Sequence, residues 1–379
     1  MHAVIVGGGV LGTMHAHQAL ARGWSVTHLE RDLEARSATV RNFGMVWISG
    51  RAPGDELAHA LRSRALWEHV GAHVPEVGFD PQGSLLIVWE PDELAVLHEV
   101  MARPDAGQRG LGVVDQAEAR RLNPTVRGEL LAALHCSRDA KVEPASCLPG
   151  VRSWLTATNG DRYHYEAGCT VTAIGDGFVV DSSGTRHDGD LVIVCPGATN
   201  DGPIAELIAG RPVRRVRLQM LSTEAPQAPL RTMLADSDSL RYYPAFAGPA
   251  RDRLAPPAPV VTEHHMQMLC SQRTDGSLTL GDTHEYHEPF AVGVLDEPER
   301  HLLGQLGRIL GTDPPPVLRR WAGVYSQSTD PERIWHCEFV TGRTVVVTGP
   351  GGRGMTLAPA IAEQTFLTHD PSANPLEIP

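Results

Sequence analysis

Gly7, Gly9 and Gly12 follow the apolar run Val4, Ile5 and Val6 within HAVIVGGGVLGTMHAHQALARGWSVTHLE, and the small-residue stretch carrying Ala16, Ala19, Leu20 and Ala21 comes next. The order reads as strand, glycine turn, helix and, past Gly23, the second strand SVTHLE. Each glycine has a physical reason. The first permits the tight turn, the second lets a pyrophosphate approach the backbone, and the third brings helix against strand. The pyrophosphate then rests on the helix N-terminus, where unpaired N–H groups and the helix dipole favour an anion. Glu30 closes the second strand, where a carboxylate accepts hydrogen bonds from an adenosine ribose and repels a 2′-phosphate. A bare glycine turn is the bland alternative. The flanking strands, helix and acid favour FAD or NAD over NADP.

A second glycine cluster, Gly349, Gly351 and Gly354 in VVVTGPGGRGMTLAP, repeats the spacing near the other end of the sequence. A nucleotide-binding unit needs about 30 residues with an acid about 20 past the glycines, and too few follow Gly354 in this sequence. What remains is local: a strand delivers the chain to a turn, and MTLAPAIAEQ starts a helix whose N-terminus attracts negative charge. With one phosphate site taken by the first motif, the anion expected here is the other end of the same cofactor. A reduced flavin carries such charge around N1 and O2. A helix cap without a ligand is the alternative.

Between the motifs, RDLEARSATVRNFGMVWISGR has too many arginines and glycines for a plain crossover helix. Ser37, Thr39, Arg41, Asn42 and Gly44 read as a polar loop wrapped along a ligand, with Met45 and Trp47 as an apolar pair; a surface loop anchored by Trp47 is the competing reading. Helices are expected over DELAHALRSRALWEHV, DELAVLHEVMARPDAGQRG and EPERHLLGQLGRIL, and buried strands over GSLLIVWE and LVIVC. From Arg211 to about Asp330 the texture turns to antiparallel strands: VRRVRLQMLS, LRYYPAF, HHMQMLCSQRTDGSLTLGDTHEY and LRRWAGVYSQS. The expected fold class is α/β. A discontinuous Rossmann-type nucleotide domain (1–80, 140–210 and 335–379) is interleaved with a mixed α+β substrate domain (81–139 and 211–334) built on an antiparallel sheet.

Bulk properties narrow the partners. A formal charge of −12 repels polyphosphate backbones and anionic bilayers, so no nucleic-acid or membrane partner is expected. Cys136, Cys147, Cys169, Cys195, Cys270 and Cys337 form no C-x-x-C pair and read as reduced, buried thiols. Met1 and His2 run straight into AVIV and no run is long enough for a membrane span, so a cytoplasmic location is expected. Strand alternation would put His284, Tyr286 and Glu288 on one face and Glu285 and His287 on the other, dividing the ligands of THEYHE, so no metal is expected.

VIVGGGVLG, Glu30, ATVRNFGM, DAKVEP, GCTVTAI, LVIVCPGA, GSLTLGDT, WAGVYSQSTDP and VVTGPGGRGMTLAP occur in this order along nearly the whole chain. Together they resemble the D-amino acid oxidase superfamily, in particular its glycine oxidase and sarcosine oxidase relatives. The resemblance implies FAD at the boundary of the two domains, held non-covalently because WAGVYSQ carries no cysteine. It implies Val10, Leu11 and Arg31 beside the first motif, Arg41, Asn42, Phe43, Gly44 and Met45 along the flavin, and Val171 at the adenine. Pro196 and Gly197 follow LVIVC towards the cofactor, and Gly351, Gly352, Arg353, Gly354, Met355 and Thr356 lie at the pyrimidine edge.

Relatives acting on α-amino acids tend to carry an arginine in WAGxRP that clamps the substrate carboxylate; here Tyr325 stands there, and tyrosine brings no charge. Free glycine or sarcosine is therefore a poorer expectation. RNFGMVW, LRYYP and GDTHEYHE look more like a bacterial subgroup associated with breakdown of 2-aminoethylphosphonate and its N-methyl form. Arg41, Arg51, Arg241, His264 and Arg353 are the candidate cations for a phosphonate, each with a structural role as the alternative.

The expected reaction is oxidation of a C–N bond in a small amine: hydride passes to flavin N5, the imine hydrolyses, and dioxygen restores the flavin with release of hydrogen peroxide. Such a reaction needs placement more than a strong acid or base. His284 is expected to face the flavin, with Tyr243 and Tyr325 lining the pocket and Arg41 and Arg353 towards the substrate. Open alternatives are an amino-acid oxidase of glycine or sarcosine type, a flavin dehydrogenase with another acceptor, and an FAD-binding redox sensor. The oligomeric state is left open.

Overall fold

The computed structural model describes residues 1–370 and 374–378. The short apolar runs His2–Val6, Ser25–Glu30, Leu191–Val194 and Thr344–Thr348 form the centre of a six-stranded sheet. Its order is His336–Phe339, Thr344–Thr348, Leu191–Val194, His2–Val6, Ser25–Glu30 and Tyr163–Ala167, and only the first pair is antiparallel. Parallel pairing demands crossovers that cover the sheet, which is why His2–Val6, Leu191–Val194 and Thr344–Thr348 are rich in valine and isoleucine, while Ser25–Glu30 buries His28 and Glu30 as well. The helices Val10–Ala21, Asp55–His73, Cys147–Asn159 and Gly354–His369 bury one face through Met14, Trp67, Leu155 and Ile361. On the other face Val4, Leu29, Val192 and Val194 meet Val179 and Ile204.

The second sheet has eight strands: Val317–Ser328, Val213–Thr223, Leu278–Gly281, Leu269–Gln272, Met233–Ala235, Ser84–Val88, Ala132–Cys136 and Leu111–Val114. All neighbours are antiparallel except Met233–Ala235 with Ser84–Val88. The helix Asp296–Leu310 covers one face with Leu302, Leu306 and Ile309 against Leu85, Ile87 and Leu234. The opposite face packs Leu86, Leu218 and Met220 with Phe43, Met45 and Trp47 from the segment that leaves the first sheet.

Two expectations about strands are corrected. LRYYPAF is not extended: Ser239–Tyr242 is a helical turn and Pro244–Phe246 a 3₁₀ turn. The preceding polar residues start the turn, with the N–H groups of Ser239 and Leu240 bonded to the carbonyls of Asp236 and Ser237, and this local bonding outweighs the aromatic strand preference. The strand before THEYHE ends at Gly281, so alternation does not govern His284 to Glu288; Glu285 instead bridges back to Arg217. Ala132–Cys136 and Tyr163–Ala167 form strands that were not anticipated. Alanine and leucine dominate the first, and the second, YHYEA, mixes two tyrosines with His164 and Glu166, so neither shows an apolar strand run until paired.

Candidate active site

A cavity of ≈ 650 Å³ opens at the carboxyl ends of the parallel strands. Gly7, Gly9, Val10, Leu11 and Gly12 line it from the first turn, Glu30 and Arg31 from the end of the second strand, and Val171, Pro196 and Gly197 from further along the chain. The three fingerprint glycines do different work. Gly7 has φ 109°, and a Cβ on it would lie 2.3 Å from the Cys195 carbonyl oxygen. A Cβ on Gly12 would lie 1.8 Å from the Gly7 oxygen, whereas one on Gly9 would meet only Thr39 Oγ1, at 3.4 Å, and otherwise fill the cavity. That Thr39 hydroxyl accepts the Val10 N–H at 3.1 Å and so closes one orphan donor of the helix start. Glu30 is tied down as well: its carboxylate accepts the N–H of Gly8 at 2.5 Å and of Asp32 at 2.9 Å. Arg31 sits at the exposed mouth, 3.7 Å from Asp201.

A smaller cavity of ≈ 120 Å³ adjoins the first, sharing Val10, Thr39, Tyr325, Gly351 and Gly354 with it. Asn42, Phe43, Met45, Gly352, Arg353, Met355 and Thr356 line it, together with Trp47, Arg51, Tyr242, Tyr243, Gln267, Asp282 and His284. Thr356 couples the terminal helix to this wall, since its hydroxyl accepts the Trp47 N–H at 3.0 Å and donates to the Met45 carbonyl at 3.3 Å. The buried Asp139 carboxylate of DAKVEP holds the next stretch, taking the N–H groups of Ile48 and Ser49 and the hydroxyls of Ser49 and Ser84 at 2.5–2.9 Å. Arg51 is delivered from that pinned segment.

Arg51 and Arg353 converge on one carboxylate. Glu56 Oε1 accepts Arg353 Nε at 2.8 Å and lies 3.3 Å from the Arg51 guanidinium. Burial works to raise the Glu56 carboxyl, but the two arginines hold it below its ordinary range. Two guanidiniums against one carboxylate leave the wall positive. The Arg51 guanidinium also lies 5.4 Å from the Tyr243 ring centroid. Arg51 Nε, Trp47 Nε1 and the Tyr325 hydroxyl, donors on this cavity, are buried with no partner among the described residues. Unpaired buried donors are costly, and their grouping beside two cations suits an anion.

His284, expected to face the flavin, lines this smaller cavity, and its ring is held on both nitrogens. Its Nδ1 lies 2.7 Å from the His265 carbonyl and its Nε2 2.8 Å from the Tyr242 hydroxyl. A carbonyl only accepts, so Nδ1 carries the proton and Nε2 accepts from Tyr242; burial pushes the imidazole down to about 4 and keeps it neutral. The ring therefore serves as a support for Tyr242, on which it stacks with centroids 4.6 Å apart. Arg41 lies exposed at the rim, donating to the Ala322 carbonyl at 2.9 Å. Gly44 stands behind the wall, where a Cβ would come 2.1 Å from the Val142 oxygen. Arg241 is bonded to Asp238 and the Ala255 carbonyl, and His264 ends the helix Pro259–His264; neither lines a cavity wall beside Tyr243 or Tyr325. Sequence reasoning missed Glu56, Tyr242, Gln267 and Asp282. A carboxylate five residues past a glycine-arginine pair carries no signal of its own, and Asp282 was visible only as a letter in GDTH.

The family model described as FAD dependent oxidoreductase matches residues 2–366. No curated protein matches the chain. Among solved structures, glycine oxidase from Geobacillus kaustophilus superposes with TM-score 0.77 at 16% identity, over 99% of this chain and 96% of that one. L-proline dehydrogenase from P. horikoshii gives 0.78 at 17%, covering 99% and 94%. Iminodiacetate oxidase from Chelativorans sp. BNC1 gives 0.74 at 20%, covering 100% and 97%. At these identities the likeness is one of fold.

Proposed function

The chain belongs to the family of FAD-dependent oxidoreductases, and from that premise we propose that it oxidises the C–N bond of a small amine bearing an acidic group, an aminophosphonate such as 2-aminoethylphosphonate or its N-methyl form being preferred. The observation that carries this reading is the cation pair Arg51 and Arg353 on Glu56, with the unpartnered donors of Trp47 and Tyr325 on the same cavity. A guanidinium stays charged when buried and matches phosphonate oxygens in a bidentate fork. Tyr325 adds one neutral donor where α-amino-acid-oxidising relatives tend to have an arginine, so the anion is held from the Arg51 and Arg353 wall.

The cleft fits FAD on its own terms. A Cβ at Gly9 would occupy the cavity, and both glycine turns put a helix N-terminus against it. In this reading Gly7 to Gly12, Glu30, Arg31 and Val171 hold the adenosine and pyrophosphate end, and Asn42, Phe43, Met45 and Gly351 to Thr356 the ring end. When bound, FAD supplies the two-electron acceptor for the hydride that leaves the carbon beside the nitrogen. The protein's share is to bind the anion at Arg51 and Arg353, to aim the amine with the Tyr242, Tyr243 and Tyr325 walls, and to keep bulk water out. Dioxygen is the acceptor we favour for regenerating the oxidised cofactor.

Product analysis tests the proposal. The yellow protein is incubated with 2-aminoethylphosphonate, its N-methyl form, glycine and sarcosine, and the carbonyl product, released amine and peroxide are measured. Phosphonates turned over in preference to the amino acids support the reading, and Arg51→Met is expected to lower kcat/KM about 100-fold with them. Equal or better turnover of glycine or sarcosine would replace it with the amino-acid oxidase reading. Carbonyl product without peroxide would identify a dehydrogenase.

A further inference from the structure

Resting on that reading, the geometry points to Asp282 as the amine pole of the site: its second oxygen, Oδ2, receives the substrate ammonium and takes its proton, leaving the neutral amine that oxidation requires. A hydride leaves carbon with help from the nitrogen lone pair, and an ammonium has none. The site must therefore dispose of one proton, and none of the groups expected from sequence can accept it. His284 has both nitrogens engaged, and the tyrosines already carry their protons.

Asp282 follows the strand Leu278–Gly281 and its side chain lines the smaller cavity, opposite in charge to Arg51 and Arg353 on the same lining. Gln267 holds it twice: the Asp282 N–H donates to the Gln267 carbonyl at 3.0 Å, and Oδ1 accepts Gln267 Nε2 at 2.9 Å. Oδ2 lies 3.8 Å from His284 Nε2, beyond hydrogen-bond distance, and that nitrogen has no proton to give. Oδ1 is thus fixed by Gln267, and among the described residues no other side chain hydrogen-bonds Oδ2. The charged and titratable groups around it are His284, held neutral, Tyr242, Tyr243, Tyr286 and Tyr325, whose phenols are all pushed up by burial first and by Asp282 among other neighbours, and the two guanidiniums. Burial pushes the Asp282 carboxyl up to about 7, so it exchanges a proton near neutrality. Burial shifts a bound ammonium the other way and brings donor and acceptor closer to a match. In the transfer an N–H bond breaks, its electron pair stays on nitrogen, and an O–H bond forms on Oδ2; one positive and one negative charge disappear together. A substrate with an anion at one end and an amine at the other is the class this dipolar cavity takes.

Asp282→Asn and Asp282→Glu are tested in the FAD-bound protein with two readouts. The first is the anaerobic rate of flavin bleaching by 2-aminoethylphosphonate from pH 6 to 10. Asp282→Asn is expected to be slowed about 100-fold or more at pH 7 and to recover as the amine loses its own proton at high pH, with Asp282→Glu retaining part of the rate. The second is binding to the dithionite-reduced protein, which cannot turn the amine over, of 2-aminoethylphosphonate against ethylphosphonate. The wild type is expected to prefer the amine by about tenfold and Asp282→Asn to lose that preference while still binding ethylphosphonate. A wild-type rate and pH profile in Asp282→Asn, or an unchanged preference, overturns the assignment. If no amine bleaches the wild type, the oxidase reading falls, and the binding comparison still decides whether Asp282 is an amine pole.

Discussion

Tyr325 brings a hydroxyl into a buried position where none of the described residues satisfies it, although it touches both cavities and stands 3.6 Å from where a Cβ on Gly352 would be. If a ligand is its partner, removing the oxygen costs binding and not stability. Tyr325→Phe is therefore expected to melt at or above the wild-type temperature while its KM for the phosphonate rises about tenfold. A fall in melting temperature with unchanged KM would mean that the hydroxyl serves the fold. Arg353, Tyr243 and Tyr325 could be singled out from the sequence because motifs or a departure from a motif marked them. Asp282 and Glu56 could not, since their importance comes from what burial and two converging arginines do to a carboxyl, and no local spacing records that.

Among the elements, the first glycine turn separates folding from binding. An alanine at position 12 would drive its Cβ to 1.8 Å from the Gly7 carbonyl, inside the turn itself, whereas one at position 9 would meet Thr39 Oγ1 at 3.4 Å and otherwise only the cavity. Gly12→Ala is expected to yield little folded protein. Gly9→Ala is expected to fold with a native circular dichroism spectrum but to lose most of its flavin on gel filtration, as read from absorbance near 450 nm. Flavin retained at the wild-type level by Gly9→Ala would remove that turn from cofactor binding. Both glycine turns and the strands feeding them were legible because their residues are chosen by local backbone needs. LRYYPAF was misread because a few turn-forming polar residues upstream decide its conformation, and Ala132–Cys136 was missed because only its pairing with Ser84–Val88 makes it a strand. The loop delivering Arg51 is fixed by Asp139, a residue 88 positions later in sequence, which no periodicity reveals.

For the whole molecule, titration of buried groups sets the response to acid. His15, His17, His28 and His284 are fully buried and burial pushes each down to about 4 from an ordinary value of 6.5. The unfolded chain takes up these protons first as pH falls, so the stability from keeping them neutral is complete above 6.5 and is lost progressively down to about 4. The carboxyls of Asp236, Asp238 and Asp282, raised chiefly by burial, act in the opposite sense, and the partly buried His135 and His301 add to the imidazole side. The melting temperature is expected to drop between pH 7 and pH 5 because the imidazoles outnumber the raised carboxyls; a flat profile would mean that the imidazoles are solvated or that the carboxyls cancel them. In the proposed function fold and chemistry meet in one cleft, with the cofactor in the cavity at the end of the parallel sheet and the substrate in the small adjoining cavity that carries Arg51, Arg353 and Asp282. Anaerobic spectral titration of the purified yellow protein with 2-aminoethylphosphonate, its N-methyl form and amine-free ethylphosphonate tests that union most directly. Bleaching of the flavin band by an aminophosphonate and not by ethylphosphonate is the predicted result, and a spectrum that stays oxidised with every amine, amino acids included, would contradict it.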